Sequence, residues 1–281
     1  MILINGTLHK QAPQEELFGN RGLLYGDAIF ETLKVSGGKL LFWEDHYFRL
    51  MSSMRIMRME IPLNFTMETL ESQLLELAKN IQPELQAVRL KLLVYRDSEG
   101  LYTPKENTIG YTITGSVLEV PFYTLAQTDY LIELFKDHYL SPSLISTLKT
   151  NNKALNVLGS IYAKENDYQN CLILNTNKEV VEALNGNIFL VHGNQIKTPP
   201  RSSGCLQGIM RKQIMALVEK LPDYTLVEAV VSPFELQQAD EIFITNVIGG
   251  IIPVSAYRKK SYNNTVARDL LGKLNAKIRL G

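Results

Sequence analysis

Along the chain the hydrophobic pattern changes period several times, and each change marks an element. Residues 1–4 and 7–9 flank Asn5-Gly6, a two-residue turn pair that predicts a β-hairpin. Residues 28–35 alternate, which puts Phe30 and Thr32 on one face of a strand. Ser36-Gly37-Gly38 then turns the chain into a second strand, expected over residues 39–43. From Glu44 the pattern is helical, with Glu44 and Asp45 in the first turn, where acids are favoured. His46 and Arg49 stand three apart and share a side of that helix. Residues 67–78 predict an amphipathic helix against the first sheet, and residues 88–95 and 109–114 predict strands around a Gly/Pro-containing loop over 96–104. The expected division is a smaller α+β domain over 1–114, a linker over 115–121 and a larger domain over 122–281.

In the second half, Ala154, Val157, Leu158, Ile161 and Tyr162 recur at helical spacing, so a helix with one apolar face starts at Ala154. Thr150, Asn151 and Asn152 precede it as capping candidates, and Lys153 stands at its head. Strands are expected at 171–174, 179–182, 188–191 and 195–197. After Gly204 and Gly208 a helix runs towards Leu217. Residues 240–254 read as strand, turn and strand, and residues 265–278 as a closing helix.

Composition narrows the classes. Apolar residues make up 45 % and charged residues 21 % of the 281, ordinary for a globular chain with room for one large or two modest cores. Formal net charge is zero with Lys and Arg dispersed, which argues against a nucleic-acid partner. No run is long enough to cross a membrane, and the start is too short and uncharged for a signal peptide. Cys171 and Cys205 form no framework, which suits a reducing cytoplasm. The four histidines show no ligand spacing, so no metal is expected.

Lys153 is the first candidate for chemistry. The positive end of a helix dipole disfavours an ammonium and favours the neutral amine that attacks a carbonyl. The residue alone also allows a solvated surface lysine. Lys153-Ala154-Leu155-Asn156, a helix, and then Val181-Glu182-Ala183-Leu184-Asn185-Gly186-Asn187-Ile188-Phe189 resemble the class IV aminotransferases. These are fold type IV pyridoxal-phosphate enzymes, including branched-chain aminotransferases, D-amino-acid aminotransferases and aminodeoxychorismate lyases. The resemblance covers nearly the whole chain and implies a two-domain α+β fold, pyridoxal 5'-phosphate and a homodimer.

Residue by residue, the resemblance implies that Lys153 carries the cofactor and later moves the α-proton. Lys149, four residues earlier, is the rival, set aside because only Lys153 directly precedes Ala-Leu-Asn and the helix. Glu182 is implied as the partner of the pyridine nitrogen, and Arg49 of His-x-x-Arg-Leu as a phosphate ligand suited by its rigid fork. Gly208, Ile209 and Met210 are implied as a phosphate cup at a helix start, and Val247 and Ile248 as further donors. Tyr25, Phe30, Thr32 and Leu101 are implied as pocket residues.

Substrate signals diverge. Leu101 stands where the lyases and D-amino-acid enzymes carry a carboxylate-trapping arginine, whereas Thr245-Asn246-Val247-Ile248 resembles the lyases more than Gly-Thr-Ala. The expectation is transamination between an apolar amino acid and 2-oxoglutarate, with Arg96 or Lys34 meeting the second carboxylate. Aminodeoxychorismate lyase and a silent cofactor-binding module are the alternatives.

Overall fold

A computed structural model describes residues 1–11, 19–84, 86–125 and 128–280. The chain divides into two compact units: Met1–Phe122 with Lys149–Asn152, and Tyr123–Leu148 with Lys153–Gly281.

The first unit contains β1 (Ile2–Ile4), β2 (Thr7–His9), α1 (Arg21–Leu24), β3 (Ala28–Ser36), β4 (Lys39–Leu40), α2 (Trp43–Ile56), α3 (Met67–Ile81), β5 (Ala87–Arg96) and β6 (Ile109–Val117). Its six strands form one antiparallel sheet in the order β2-β1-β6-β5-β3-β4. Asn5 and Gly6 both have positive φ, the backbone that a tight hairpin requires. One sheet face packs Leu3, Ile29, Leu33, Leu90, Leu92 and Ile113 with Leu50, Met54, Leu70 and Leu74 of the two helices. Thr66 caps α3, its hydroxyl accepting from Thr69 N at 3.2 Å.

Two boundaries differ from expectation. The strand expected over 39–43 ends at Leu40, because Phe42 takes a left-handed backbone (φ 57°) and Trp43 already opens α2. The expected linker begins inside a strand, since Gly115–Val117 pair with β5 as the end of β6. Gly115 is required there: a Cβ would lie 2.7 Å from both Ile81 and Leu90 side chains.

The second unit contains β7 (Leu131–Leu140), α4 (Ala154–Glu165), β8 (Asn170–Asn175), β9 (Val180–Ala183), β10 (Asn187–His192), β11 (Gln195–Thr198), α5 (Ile209–Val218), β12 (Thr225–Glu228), α6 (Glu235–Gln238), β13 (Glu241–Asn246), β14 (Gly250–Pro253), β15 (Ala256–Tyr257), β16 (Lys260–Ser261) and α7 (Thr265–Leu280). Two five-stranded sheets run β12-β11-β10-β13-β14 and β16-β15-β7-β8-β9. Leu172, Leu174, Ile188, Leu190, Ile242 and Ile244 form their shared core.

The α4 helix packs differently from its sequence pattern. Val157, Leu158 and Ile161 are about half exposed, while Gly159 and Ala163 are buried. A Cβ on Gly159 would sit 2.4 Å from Leu184, so the glycine lets the helix approach on that side and turns the larger residues outward.

Candidate active site

In the first unit, β3 supplies side chains to both sheet faces. Glu31 lies on the helix-covered face, fully buried, and Arg49 of α2 donates to it through Nε at 2.8 Å and also through Nη2. His46, one helical turn earlier, contacts the same carboxylate through Nδ1 at 2.7 Å. Burial alone would push the Glu31 carboxyl up. The adjacent Arg49 guanidinium and the His46 contact outweigh it and bring the group down to about 2. For His46, burial is the larger influence and lowers its pKa.

Phe30 is on the other face. Lys149 Nζ lies 4.4 Å and Lys91 Nζ 4.7 Å from its ring centre. Thr32 and Lys34 follow it at two-residue steps. Lys34 is buried, which pushes its ammonium down to about 8. The Lys149 backbone is held to β3: Phe30 N donates to Lys149 O at 2.9 Å, and Asn151 N donates to Ala28 O at 2.8 Å.

The Arg96 side chain is engaged by the protein itself. Its Nε bonds Asp27 at 2.9 Å, Nη1 bonds Arg58 O and Asn107, and Nη2 bonds Met57 O. Meeting a substrate carboxylate would break several of these bonds inside a buried site, so Arg96 ties β5 to the end of α2. Arg21 shares Asp27 and donates to the carbonyls of Gly100, Leu101 and Tyr102. The Leu101 side chain is 78 % exposed, and Tyr25 contacts Tyr102 at 5.8 Å between ring centres.

In the second unit, Glu182 is buried on β9 and accepts from Leu206 N at 2.9 Å and Asn187 Nδ2 at 3.4 Å. Lys153 caps α4 without a side-chain cap bond. Burial lowers its pKa, and the negative charge of Glu182 opposes that shift. Gly208 caps α5, also without a side-chain bond, so the first N–H groups of Ile209 and Met210 lie at an open helix start. Asn187 closes this corner by donating to Leu206 O at 2.8 Å. A Cβ on Gly208 would come within 2.0 Å of Asn187 Oδ1. Thr245 is buried opposite Asn187, and its hydroxyl has no hydrogen-bond partner among the described residues.

The Val247–Ile248 turn is held by its own neighbours. Asn246 Oδ1 accepts from Ile248 N at 3.1 Å and Gly249 N at 2.8 Å, while Tyr123 donates to Val247 O at 2.6 Å. An anion at Ile248 N would compete with the bond that forms the turn.

Sequence reasoning passed over Glu31, His46 as a carboxylate partner, Asn187 and Lys91. Glu31 carried a usable signal, because it is a charged residue at a core-facing parity of an alternating strand.

The sequence model of the amino-transferase class IV family matches residues 28–257, most of the chain, and the protein belongs to that family. It is 27 % identical over 270 residues to the D-alanine aminotransferase of Bacillus licheniformis, covering 91 % of this chain and 87 % of that one. Among solved structures it resembles the 4-amino-4-deoxychorismate lyase of Pseudomonas aeruginosa, with a TM-score of 0.82, 25 % identity and 98 % of each chain covered. It also resembles the branched-chain aminotransferase of Thermoproteus uzoniensis, with a TM-score of 0.84, 20 % identity, and 97 % and 92 % coverage. The fold is that of the fold type IV enzymes, and the protein is a pyridoxal-phosphate-dependent enzyme. The donor set of the second unit fits that cofactor: a buried carboxylate suits a ring nitrogen, and a helix start opened by a glycine packed against Asn187 suits a phosphate.

Proposed function

We propose that the enzyme transfers an amino group between an apolar α-amino acid and 2-oxoglutarate. The observation that carries this reading is Phe30, an apolar ring with two ammonium groups within 5 Å and buried Lys34 further along the same face of β3. An aromatic wall suits the apolar side chain, worth about 25 cal/mol per Å² buried. A lysine beside it suits the second carboxylate of 2-oxoglutarate. Of the two residues expected in this role, Arg96 and Lys34, we keep Lys34 and add Lys91, with Thr32 on the same face. Tyr25 and Leu101 remain proposed pocket residues.

Pyridoxal phosphate, when bound, supplies an electron-withdrawing ring that makes the α-proton of an amino acid acidic. Glu182 would hold the proton of the ring nitrogen, fixed by Leu206 N and Asn187. The Ile209 and Met210 N–H groups beyond Gly208, the Val247 N–H and Arg49 would hold the phosphate, while Ile248 N stays with Asn246. The lysine that carries the cofactor comes from residues 149–153. Lys153 is the sequence expectation, but we assign the role to Lys149 on two grounds. The ring carbon that a lysine must reach is opposite the ring nitrogen, whereas the Lys153 charge is coupled to Glu182, the proposed partner of that nitrogen. The Lys149 backbone is also clamped to β3, which orients its amine over Phe30. Lys153 would then act through its coupling to Glu182.

The second reading, aminodeoxychorismate lyase, is favoured by Thr245-Asn246-Val247-Ile248. A silent cofactor-binding module is disfavoured by the presence of both lysines, Glu182 and Arg49 together. One assay separates them, with leucine or alanine and 2-oxoglutarate in one tube and aminodeoxychorismate in another. Glutamate is expected in the first. Release of 4-aminobenzoate with no glutamate formed would replace transamination by lysis.

We further propose a cytoplasmic homodimer. Cys171 and Cys205 are buried and unlinked, and Leu101, Tyr102, Val157 and Ile161 are apolar residues left exposed on the single chain. Sedimentation is expected to give twice the chain mass; a fully active monomer would refute the dimer.

A further inference from the structure

Glu31, His46 and Arg49 form a buried charged group in the sheet–helix interface of the first unit, where apolar side chains would pack without a desolvation cost. The fold alone therefore gives no reason to keep it. Its geometry suggests what it does. Glu31 accepts from Nε and Nη2, two donors on one edge of the Arg49 guanidinium, and this fixes the plane of a group that otherwise turns about a long stem. His46 is wholly buried, its Nδ1 meets Glu31, and its Nε2 has no hydrogen-bond partner among the described residues. The directional contact of the imidazole is therefore with the carboxylate. The Arg49 side chain is the most exposed of the three at 14 %, against 2 % for Glu31 and none for His46.

We infer that Glu31 and His46 are positioning residues that set the Arg49 guanidinium for the cofactor phosphate. The inference rests on the proposed reading of Arg49 as a phosphate ligand. It also opposes simple electrostatics. A negative charge beside Arg49 weakens the field that an anion feels, so charge alone predicts tighter phosphate binding once Glu31 is neutralised. Positioning predicts weaker binding.

The experiment titrates the apoprotein with pyridoxal phosphate and, separately, with pyridoxal, which lacks the phosphate, and reads both dissociation constants by absorbance. Glu31→Gln is expected to weaken pyridoxal phosphate about tenfold, the scale on which partners that orient a ligating group act, and to leave pyridoxal within about twofold. His46→Phe keeps the ring shape without the donor and should shift the ratio in the same direction. His46→Asn, which returns an N–H near the Nδ1 position, should restore it. Arg49→Ala should collapse the preference for the phosphate, and adding Glu31→Gln to it should change nothing further.

An unchanged preference in Arg49→Ala would overturn the phosphate reading itself. A collapsed preference there, with Glu31→Gln binding pyridoxal phosphate as tightly as the parent or tighter, would overturn positioning alone. Equal weakening of both ligands by Glu31→Gln would assign the carboxylate a purely structural part. Should Glu31→Gln fail to fold in a thermal melt, the His46→Phe and His46→Asn pair decides the question by the same ratio.

Discussion

Borohydride reduction of the cofactor-loaded enzyme, followed by trypsin, is expected to leave the label on a peptide spanning residues 137–153. The cleavage sites make the assignment sharp. Trypsin cuts after Lys136, Lys149, Lys153 and Lys164, and it does not cut after a lysine whose nitrogen carries the cofactor. A label on Lys149 joins 137–149 to 150–153, whereas a label on Lys153 joins 150–153 to 154–164. Lys149→Ala is expected to lower turnover by at least about 10³-fold, because it removes both the covalent anchor and the group that moves the α-proton. Lys153→Ala should keep the covalent link. Recovery of the 150–164 peptide would return the role to Lys153, whose burial-lowered pKa is consistent with a reactive amine.

The second large effect is expected at Glu182. Glu182→Gln preserves size and the bond from Leu206 N but removes the negative charge. A neutral amide does not hold a proton on the ring nitrogen, and α-proton removal should slow by roughly 10²-fold or more, about 3 kcal/mol of barrier. Cofactor retention should persist, since the phosphate donors proposed at α5 and Arg49 are untouched. An unchanged α-deuterium isotope effect together with unchanged turnover would show that Glu182 has no such part. Asn187→Ala makes a milder companion: it leaves the carboxylate one donor short and Leu206 O without its partner, so its effect should be smaller but of the same sign.

How far the sequence reaches depends on the range of the interaction. Hairpin turns, strand alternation and helix starts are set by residues two to four apart, and Asn5-Gly6, residues 28–35 and the helix after Lys153 were legible for that reason. Motif order along the chain was equally legible, and with it the family. Contacts between distant segments were not. Arg96 looks like a loop-edge cation until Asp27, Met57, Arg58 and Asn107 are found around it. The apolar face of α4 is sound by spacing, yet Gly159 meets Leu184 and turns Val157 and Ile161 outward. Local pattern separates a face from its opposite, but only packing decides which face is inside. The same limit applies to Lys149 and Lys153: four residues apart in sequence, one is held to Phe30 of β3 and the other is coupled to Glu182 of β9. Sequence by itself determined many of the elements, though not the strand β7 (Leu131–Leu140), and the order of the motifs and the family. The tertiary structure decided which charges meet, because a partner's distance along the chain carries no information about its distance in space.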